Sequence, residues 1–274
     1  VLLRLARWNA EVREGLAGAF DALAELEALA RLATLLDQDP AARFPEIAAE
    51  PTPLTARGLA HPLLPPSERV ANDVALPGLP GALIVTGSNM AGKSTLLRAV
   101  GLNLALAFAG GPVTAETFVT SRVRLRASMR AHDSLQRGAS YFRAELEKLR
   151  SVVESADAGP PIFFLLDELL RGTNARARHL GARAVRAHLL DRGARGLAAT
   201  HDVALACLAD ERPAVLNVHF TDVLDEAGEM VFDYRLREGV VRTSNALRLL
   251  ALAGIAVPDD DALPGAIPEP ARKS

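Results

Sequence analysis

Between Ala82 and Val100 an apolar run, a glycine-rich loop and a helical segment follow one another without a break. Few arrangements constrain a fold more tightly. The run is Ala82-Leu83-Ile84-Val85-Thr86, the loop is Gly87-Ser88-Asn89-Met90-Ala91-Gly92-Lys93-Ser94-Thr95, and Leu96-Leu97-Arg98-Ala99-Val100 opens the helix. The loop has the form G-x-x-x-x-G-K-S, which in a strand–loop–helix setting is a phosphate-binding loop. Gly87 and Gly92 let the backbone curl until successive N–H groups point inward at a polyphosphate. The following helix adds the positive end of its dipole, about half an elementary charge. Lys93 is placed to reach the β- and γ-phosphates, and the Ser94 hydroxyl to ligate Mg2+. The segment predicts a chain that binds a nucleoside triphosphate.

The 274 residues suffice for one large domain and a smaller element. With 49% hydrophobic but only 4% aromatic residues, the core is expected to be mostly Leu, Val and Ala. A net charge of −2 argues against a wholly basic nucleic-acid binder, although 31 Lys and Arg leave room for local patches. The single cysteine, Cys207, excludes an internal disulfide and a cysteine-built zinc site. It reads as a small buried hydrophobe in a reducing compartment, so a cytoplasmic location is expected. The histidines lack metal-ligand spacing. No signal peptide is visible, and Leu104 to Gly110 is too short to span a bilayer and reads as a buried helix, so no membrane contact is evident in these residues. The first residue is Val1 rather than Met, which leads us to expect a piece of a longer protein.

Along the chain, residues 1–36 read as helix. Leu5, Trp8, Val12, Leu16, Phe20, Leu23 and Leu26 recur at steps of three or four and form one apolar stripe, with Gly15 and Gly18 as places where it could bend. Asp39-Pro40 ends it, and a connector punctuated by Pro45, Pro51 and Pro53 follows. From about Gly58, short apolar runs alternate with helices, the signature of a mainly parallel sheet flanked by helices in an α/β fold. Candidate strands are 82–86, 123–129, 162–166 and 197–200, then 214–220 and 230–236, the last two expected as an antiparallel pair at the sheet edge. The tail from Val257, rich in Pro and Asp, is expected to be disordered.

Three further segments complete the site. Pro161-Ile162-Phe163-Phe164-Leu165-Leu166-Asp167-Glu168 is a central strand that delivers two carboxylates at its C-terminal end, where α/β sheets bind ligands. Asp167 is placed to hold Mg2+ and Glu168 to act as general base for the attacking water. Leu197-Ala198-Ala199-Thr200-His201-Asp202 delivers His201 in the same way, as a γ-phosphate sensor or simply a loop residue. Tyr141 to Ser155 reads as a helix with an apolar face of Phe142, Leu146, Leu149 and Val153. Ser140 before it reads as an N-cap, or as a hydroxyl offered to phosphate across a dimer interface. Taken together these describe a composite ATPase site of the ABC type.

These residues also carry a family likeness. "TGSNMAGKSTLLRAVGLN" resembles the phosphate loop of the MutS family of DNA mismatch-repair ATPases, with Asn89-Met90 as the telling detail. "FFLLDELLRGTN" and "ATHD" are similar to that family's Walker B and switch-histidine segments. Ser140-x-Phe142-x-x-Glu145 matches its signature helix, His61-Pro62 its ATPase opening, and Asn72-Asp73 the stretch before the loop. The segment from "LAELEALARLA" to "FPEI" is similar to the end of its helical lever. The likeness runs from about residue 20 to residue 256.

It implies a P-loop NTPase domain over residues 58–256, a lever end and connector over 1–57, and a tail over 257–274. ATP/ADP and Mg2+ would be its cofactors, and a homodimer with two ATP sites its working form, DNA being bound by the full-length protein in repair or recombination. By the same likeness Gly87 to Thr95 cradle the triphosphate, Asp167 and Ser94 serve Mg2+, and Glu168, His201 and Lys93 are catalytic. Ser140 acts in trans, and Thr173 and Asn174 lie at the dimer seam. Ser88 and Ala91 replace the family's Pro and Gly, as in divergent relatives. Val70 stands where the family packs an apolar or aromatic residue on adenine, and valine offers a poorer stacking face. The mismatch-reading domain, the clamp and the C-terminal helix-turn-helix of repair members have no counterpart in these residues. The alternatives are another ABC-type head of the chromosome-maintenance kind and a nucleotide-dependent dimerisation module without mismatch recognition. A transporter head would carry L-S-G-G-Q where this chain reads "LQRGASYF". A small-molecule kinase would lack the paired Asp-Glu.

Overall fold

Alanine, leucine, glutamate and arginine dominate the first 38 residues, and no proline interrupts them before Pro40, so local propensity alone favours helix. The computed structural model describes residues 1–88, 90–129, 138–170, 173–201, 212–224 and 230–240. Asn89, Arg171, Gly172, Asp202, Cys207 and the tail from Val257 lie outside the described residues, as does the side chain of Ser140. Helix α1 runs unbroken through Gly15 and Gly18 from Leu2 to Gln38, 37 residues, about 55 Å at 1.5 Å per residue. Its apolar stripe is not packed: Leu5, Trp8, Phe20 and Leu26 are all exposed. The helix meets the rest of the chain at its C-terminal end, where Leu32 lies against Gly111.

That end is anchored by charge. Asp39 caps α1 in an extended conformation, its N–H donating to Leu35 O at 3.1 Å. Its buried carboxylate takes two hydrogen bonds from the Arg69 guanidinium and one each from Thr114 Oγ1 and the Ala41 N–H. The Arg69 hydrogen bonds hold the Asp39 carboxyl below the usual carboxylate range, outweighing the opposing effect of burial.

Beyond the anchor lie β1 (Ala42–Arg43), β2 (Glu46–Ala48), β3 (Thr55–Leu59), β4 (Asn72–Ala75) and β5 (Gly81–Thr86), then α2 (Lys93–Phe108). Next come β6 (Val113–Thr114), β7 (Thr117–Ser121), β8 (Arg124–Ser128), α3 (Gly138–Asp157), β9 (Ile162–Asp167), α4 (Ala175–Asp191) and β10 (Arg195–Ala199). The remaining described strands are β11 (Val215–His219), β12 (Asp222–Leu224), β13 (Met230–Phe232) and β14 (Arg237–Glu238). Strands β2, β7, β3 and β4 form a four-stranded sheet that the hydropathy pattern did not announce. The larger sheet has the order β14-β11-β5-β10-β9-β8. Neighbours from β11 to β8 pair in parallel, and only β14 is antiparallel.

The expected antiparallel edge pair of 214–220 with 230–236 is therefore corrected. β11 lies inside the sheet, parallel to β5, and the edge is closed by the two-residue β14. β13 pairs instead with β12, the short strand immediately after β11.

Alternation puts successive residues of the central strands on opposite faces. Leu83, Val85, Phe163, Leu165 and Leu197 pack with Leu97, Val100 and Leu104 of α2. Ile84, Ile162, Phe164, Leu166 and Ala198 pack with Leu149 and Val152 of α3 and Leu189 and Leu190 of α4. A sheet covered on both faces needs continuous apolar strands, and β5 and β9 are buried throughout. The buried face of α3 is Leu149, Val152 and Ala156, whereas Leu146 of the expected face is exposed. The helix also begins at Gly138, so Ser140 stands in its first turn rather than at its cap.

Candidate nucleotide site

Register brings the scattered motifs together. Val85 of β5 pairs with Ala199 of β10, and Ala199 with Asp167 of β9. The residues that follow these strands are therefore neighbours at one edge. The ladder runs one step further, with Thr200 N–H donating to Val85 O at 2.9 Å and Glu168 N–H to Ala199 O at 3.0 Å.

The loop after β5 needs its glycines. Gly87 has φ 140°, and a Cβ there would sit 2.7 Å from Phe220 O. Gly92 has φ 108°, and a Cβ would sit 3.3 Å from Tyr234 Cδ1. Both positions combine a left-handed backbone with a close approach that favours glycine. Met90, also left-handed at φ 71°, is exposed at the loop tip. Ala91, by contrast, is buried in the core and carries no such backbone demand, which is why alanine can stand there. Thr95 is exposed on the first turn of α2.

Lys93 is buried, and its Nζ donates to Gly87 O at 2.8 Å and Ser88 O at 2.6 Å. The same ammonium lies 3.9 Å from Glu168 Oε1, and His201 Nδ1 lies 3.5 Å from that oxygen. Ser94 Oγ donates to Asp167 Oδ2 at 2.7 Å, while Asp167 Oδ1 is buried with no hydrogen-bond partner among the described residues. A hydroxyl beside two carboxylate oxygens, one of them unsatisfied, is a hard-oxygen donor set that fits Mg2+. No grouping of three or more His, Cys, Asp or Glu suited to a metal occurs among the described residues.

Lys93, Ser94, Asp167, Glu168 and His201 thus meet at one place. Val70 is half-buried. The Asn72 side-chain amide donates to Val70 O at 3.4 Å and Tyr234 O at 3.0 Å, and its Oδ1 accepts from Leu236 N–H at 2.6 Å. Tyr234 is the residue that sequence reasoning missed. It is left-handed at φ 54°, half-exposed, stacked on Phe232 at 6.1 Å and set against Gly92. Its turn is braced by Asp233, whose carboxylate accepts from Arg235 N–H and the Arg237 guanidinium and is held below its ordinary range chiefly by Arg237. No sequence signal marked Tyr234, since the Asn72 bridge that ties it in spans 162 positions.

Asn174 caps α4, its Oδ1 accepting from Ala177 N–H at 2.8 Å, and Thr173 N–H donates to Leu170 O at 3.3 Å. Both therefore have local structural partners. Among the described residues no helix is long and apolar enough to cross a membrane.

A family model described as MutS domain V matches residues 83–260 of the chain. DNA mismatch repair protein MutS of Natronomonas pharaonis is 34% identical over 240 residues, 85% of this chain and 27% of that protein. MutS of Granulibacter bethesdensis is 32% identical over 264 residues, 93% of this chain and 28% of that protein. DNA mismatch repair protein MSH6 of Arabidopsis thaliana is 33% identical over 252 residues, 85% of this chain and 19% of that protein. The chain thus spans 27–28% of the length of the MutS proteins it matches. The match covers most of β5, the glycine-containing loop after it, both acids at the end of β9 and His201, and by it the chain belongs to the MutS domain V family.

Proposed function

We propose that residues 58–256 form an ABC-type P-loop NTPase domain that binds and hydrolyses ATP, and that residues 1–57 are the lever end through which nucleotide state is passed on. Residues 257–274 are its tail. The observation that carries this reading is the meeting of Lys93, the Ser94–Asp167 pair, Glu168 and His201 where the adjacent parallel strands β5, β10 and β9 end.

Gly87 to Thr95 wrap the triphosphate, with Lys93 exchanging its carbonyl partners for phosphate oxygens. Ser94 and Asp167 would hold Mg2+, which when bound would supply positive charge against the phosphates. Glu168 is the general base. Its carboxylate accepts the proton of the attacking water, a role worth about 10²–10⁴ in rate. His201, on the solvent side of that carboxylate, orients it and responds to the γ-phosphate. Tyr234, more than Val70, supplies a flat face for the base.

The working form is a homodimer in which each site is completed by Ser140 of the other protomer. Within the full-length protein it acts as a nucleotide-gated switch on DNA in repair or recombination.

The test is steady-state ATP hydrolysis against protein concentration, with and without duplex, mismatched and branched DNA, for the wild type and Glu168→Gln. Specific activity should rise with concentration and respond to DNA, and the variant should bind ATP yet turn over at least about a hundredfold more slowly. Unchanged turnover in Glu168→Gln would move the base elsewhere, and concentration-independent turnover would remove the composite site.

A further inference from the structure

The turn that aims Glu168 is held from a distance. Glu168 and Leu170 are both left-handed, at φ 49° and 60°, a conformation that costs a side-chain-bearing residue energy and persists only where its surroundings impose it. On one side Glu168 N–H is tied to Ala199 O. On the other, Leu170 N–H donates to Glu145 Oε1 at 2.6 Å. Glu145 comes from α3, one turn before Leu149 on the stripe that continues through Val152 and Ala156 into the core. It is thus a carboxylate on the buried edge of a helix, and its Oε2 is buried with no hydrogen-bond partner among the described residues. Leu170 is also fixed by packing, since a Cβ on Gly181 would overlap its Cδ1.

We infer that Glu145 is a positioning residue for hydrolysis, fixing the 168–170 turn so that the Glu168 carboxylate stays beside Lys93 and His201. This rests on the reading of Glu168 as the base. A displacement of about 1 Å at a reacting group can cost about a hundredfold in rate, so one backbone hydrogen bond at this turn has leverage on turnover that it lacks on nucleotide affinity.

The experiment compares wild type, Glu145→Ala, Glu145→Gln and Glu168→Gln for kcat, ATP affinity, thermal midpoint and amide exchange at Leu170. Glutamine keeps a carbonyl oxygen for the Leu170 N–H, and alanine removes it. We expect Glu145→Ala to lower kcat about 10- to 100-fold, with ATP affinity within about twofold and faster exchange at Leu170. Glu145→Gln should restore kcat to within about threefold of wild type. Equal kcat in wild type and Glu145→Ala overturns the inference, and so does a loss in both Glu145 variants that tracks the thermal midpoint or the affinity. Wild-type turnover in Glu168→Gln instead overturns the assignment of the base, and the positioning role falls with it.

Discussion

Ser94 Oγ donates to Asp167 Oδ2 at 2.7 Å, joining the first turn of α2 to the end of β9 across 73 positions of sequence. The pair leaves Asp167 Oδ1 buried without a partner among the described residues, and a buried oxygen of that kind costs free energy unless something binds it. Asp167→Asn keeps the shape and removes the charge. ATP affinity measured with and without Mg2+ should show clear tightening by the metal in the wild type and little or none in the variant. Turnover should fall at least about a hundredfold. A metal response that survives in Asp167→Asn would place the cation on other groups.

Lys93 is held by the carbonyls of Gly87 and Ser88 inside the loop it serves. A charge-assisted hydrogen bond is worth about 1.5–3 kcal/mol, so Lys93→Ala should weaken ATP binding by about 10- to 100-fold or abolish it. The helix it starts is retained, because Leu96, Leu97 and Val100 still pack on the sheet. Binding of a fluorescent ATP analogue measures the loss, and far-ultraviolet circular dichroism verifies the fold. Unaltered affinity would remove the phosphate-loop assignment.

What the sequence made legible follows physical range. Gly87, Gly92, Lys93 and Ser94 are local: their chemistry lies in nine consecutive residues where an apolar strand passes through a tight loop into the first turn of a helix. The acids at the end of β9 and His201 after β10 were legible because strands buried on both faces read as continuous apolar runs whose ends are marked by the first polar residues. The four-stranded sheet and the separate β1–β6 pair were not legible, since β1, β2, β6 and β7 are short and pair across long gaps, Ala42 with Thr114 and Glu46 with Val119. The two-residue β14 carries no periodic signal, so an edge strand was assigned to the longer apolar run at 230–236. The α3 face was misread by one position because Val152 and Val153 are both apolar and only packing selects between them. Tyr234 belongs to the same class: a lone aromatic gains meaning only when the fold sets it against Gly92.

Tyr234 permits a test that separates base from phosphate recognition. Stacking of a base on an aromatic side chain is worth about 1–3 kcal/mol, so Tyr234→Ala should weaken ATP binding at least about fivefold. Affinity for tripolyphosphate, which has no base, should stay within about twofold. Tyr234→Phe keeps the ring and its stacking on Phe232, and should bind ATP nearly as the wild type does. Equal losses for ATP and tripolyphosphate would mean that the ring supports the Gly92 backbone and does not meet the base.

The Asp39–Arg69 pair links the end of α1 to the residue before Val70, and it is buried on both sides. Removing one member of a buried pair leaves the other charge uncompensated, at a cost of about 3–5 kcal/mol. Asp39→Asn should lower the denaturant midpoint accordingly, and the double variant Asp39→Asn/Arg69→Met should recover part of the loss. The dependence on pH follows from the direction of the Asp39 shift. Its folded-state carboxyl is held below its unfolded value of about 3.9, so protons bind the unfolded chain more readily. The stabilisation is therefore complete above that value and is withdrawn as pH falls below about 4, through the lower folded value. Unfolding free energy measured between about pH 7 and pH 3 should decline at the acid end in the wild type. The decline should be shallower in Asp39→Asn, which has no carboxyl to titrate there. Parallel curves for the two proteins would assign the acid sensitivity to other carboxylates and leave the Asp39–Arg69 pair without a measurable share in anchoring α1.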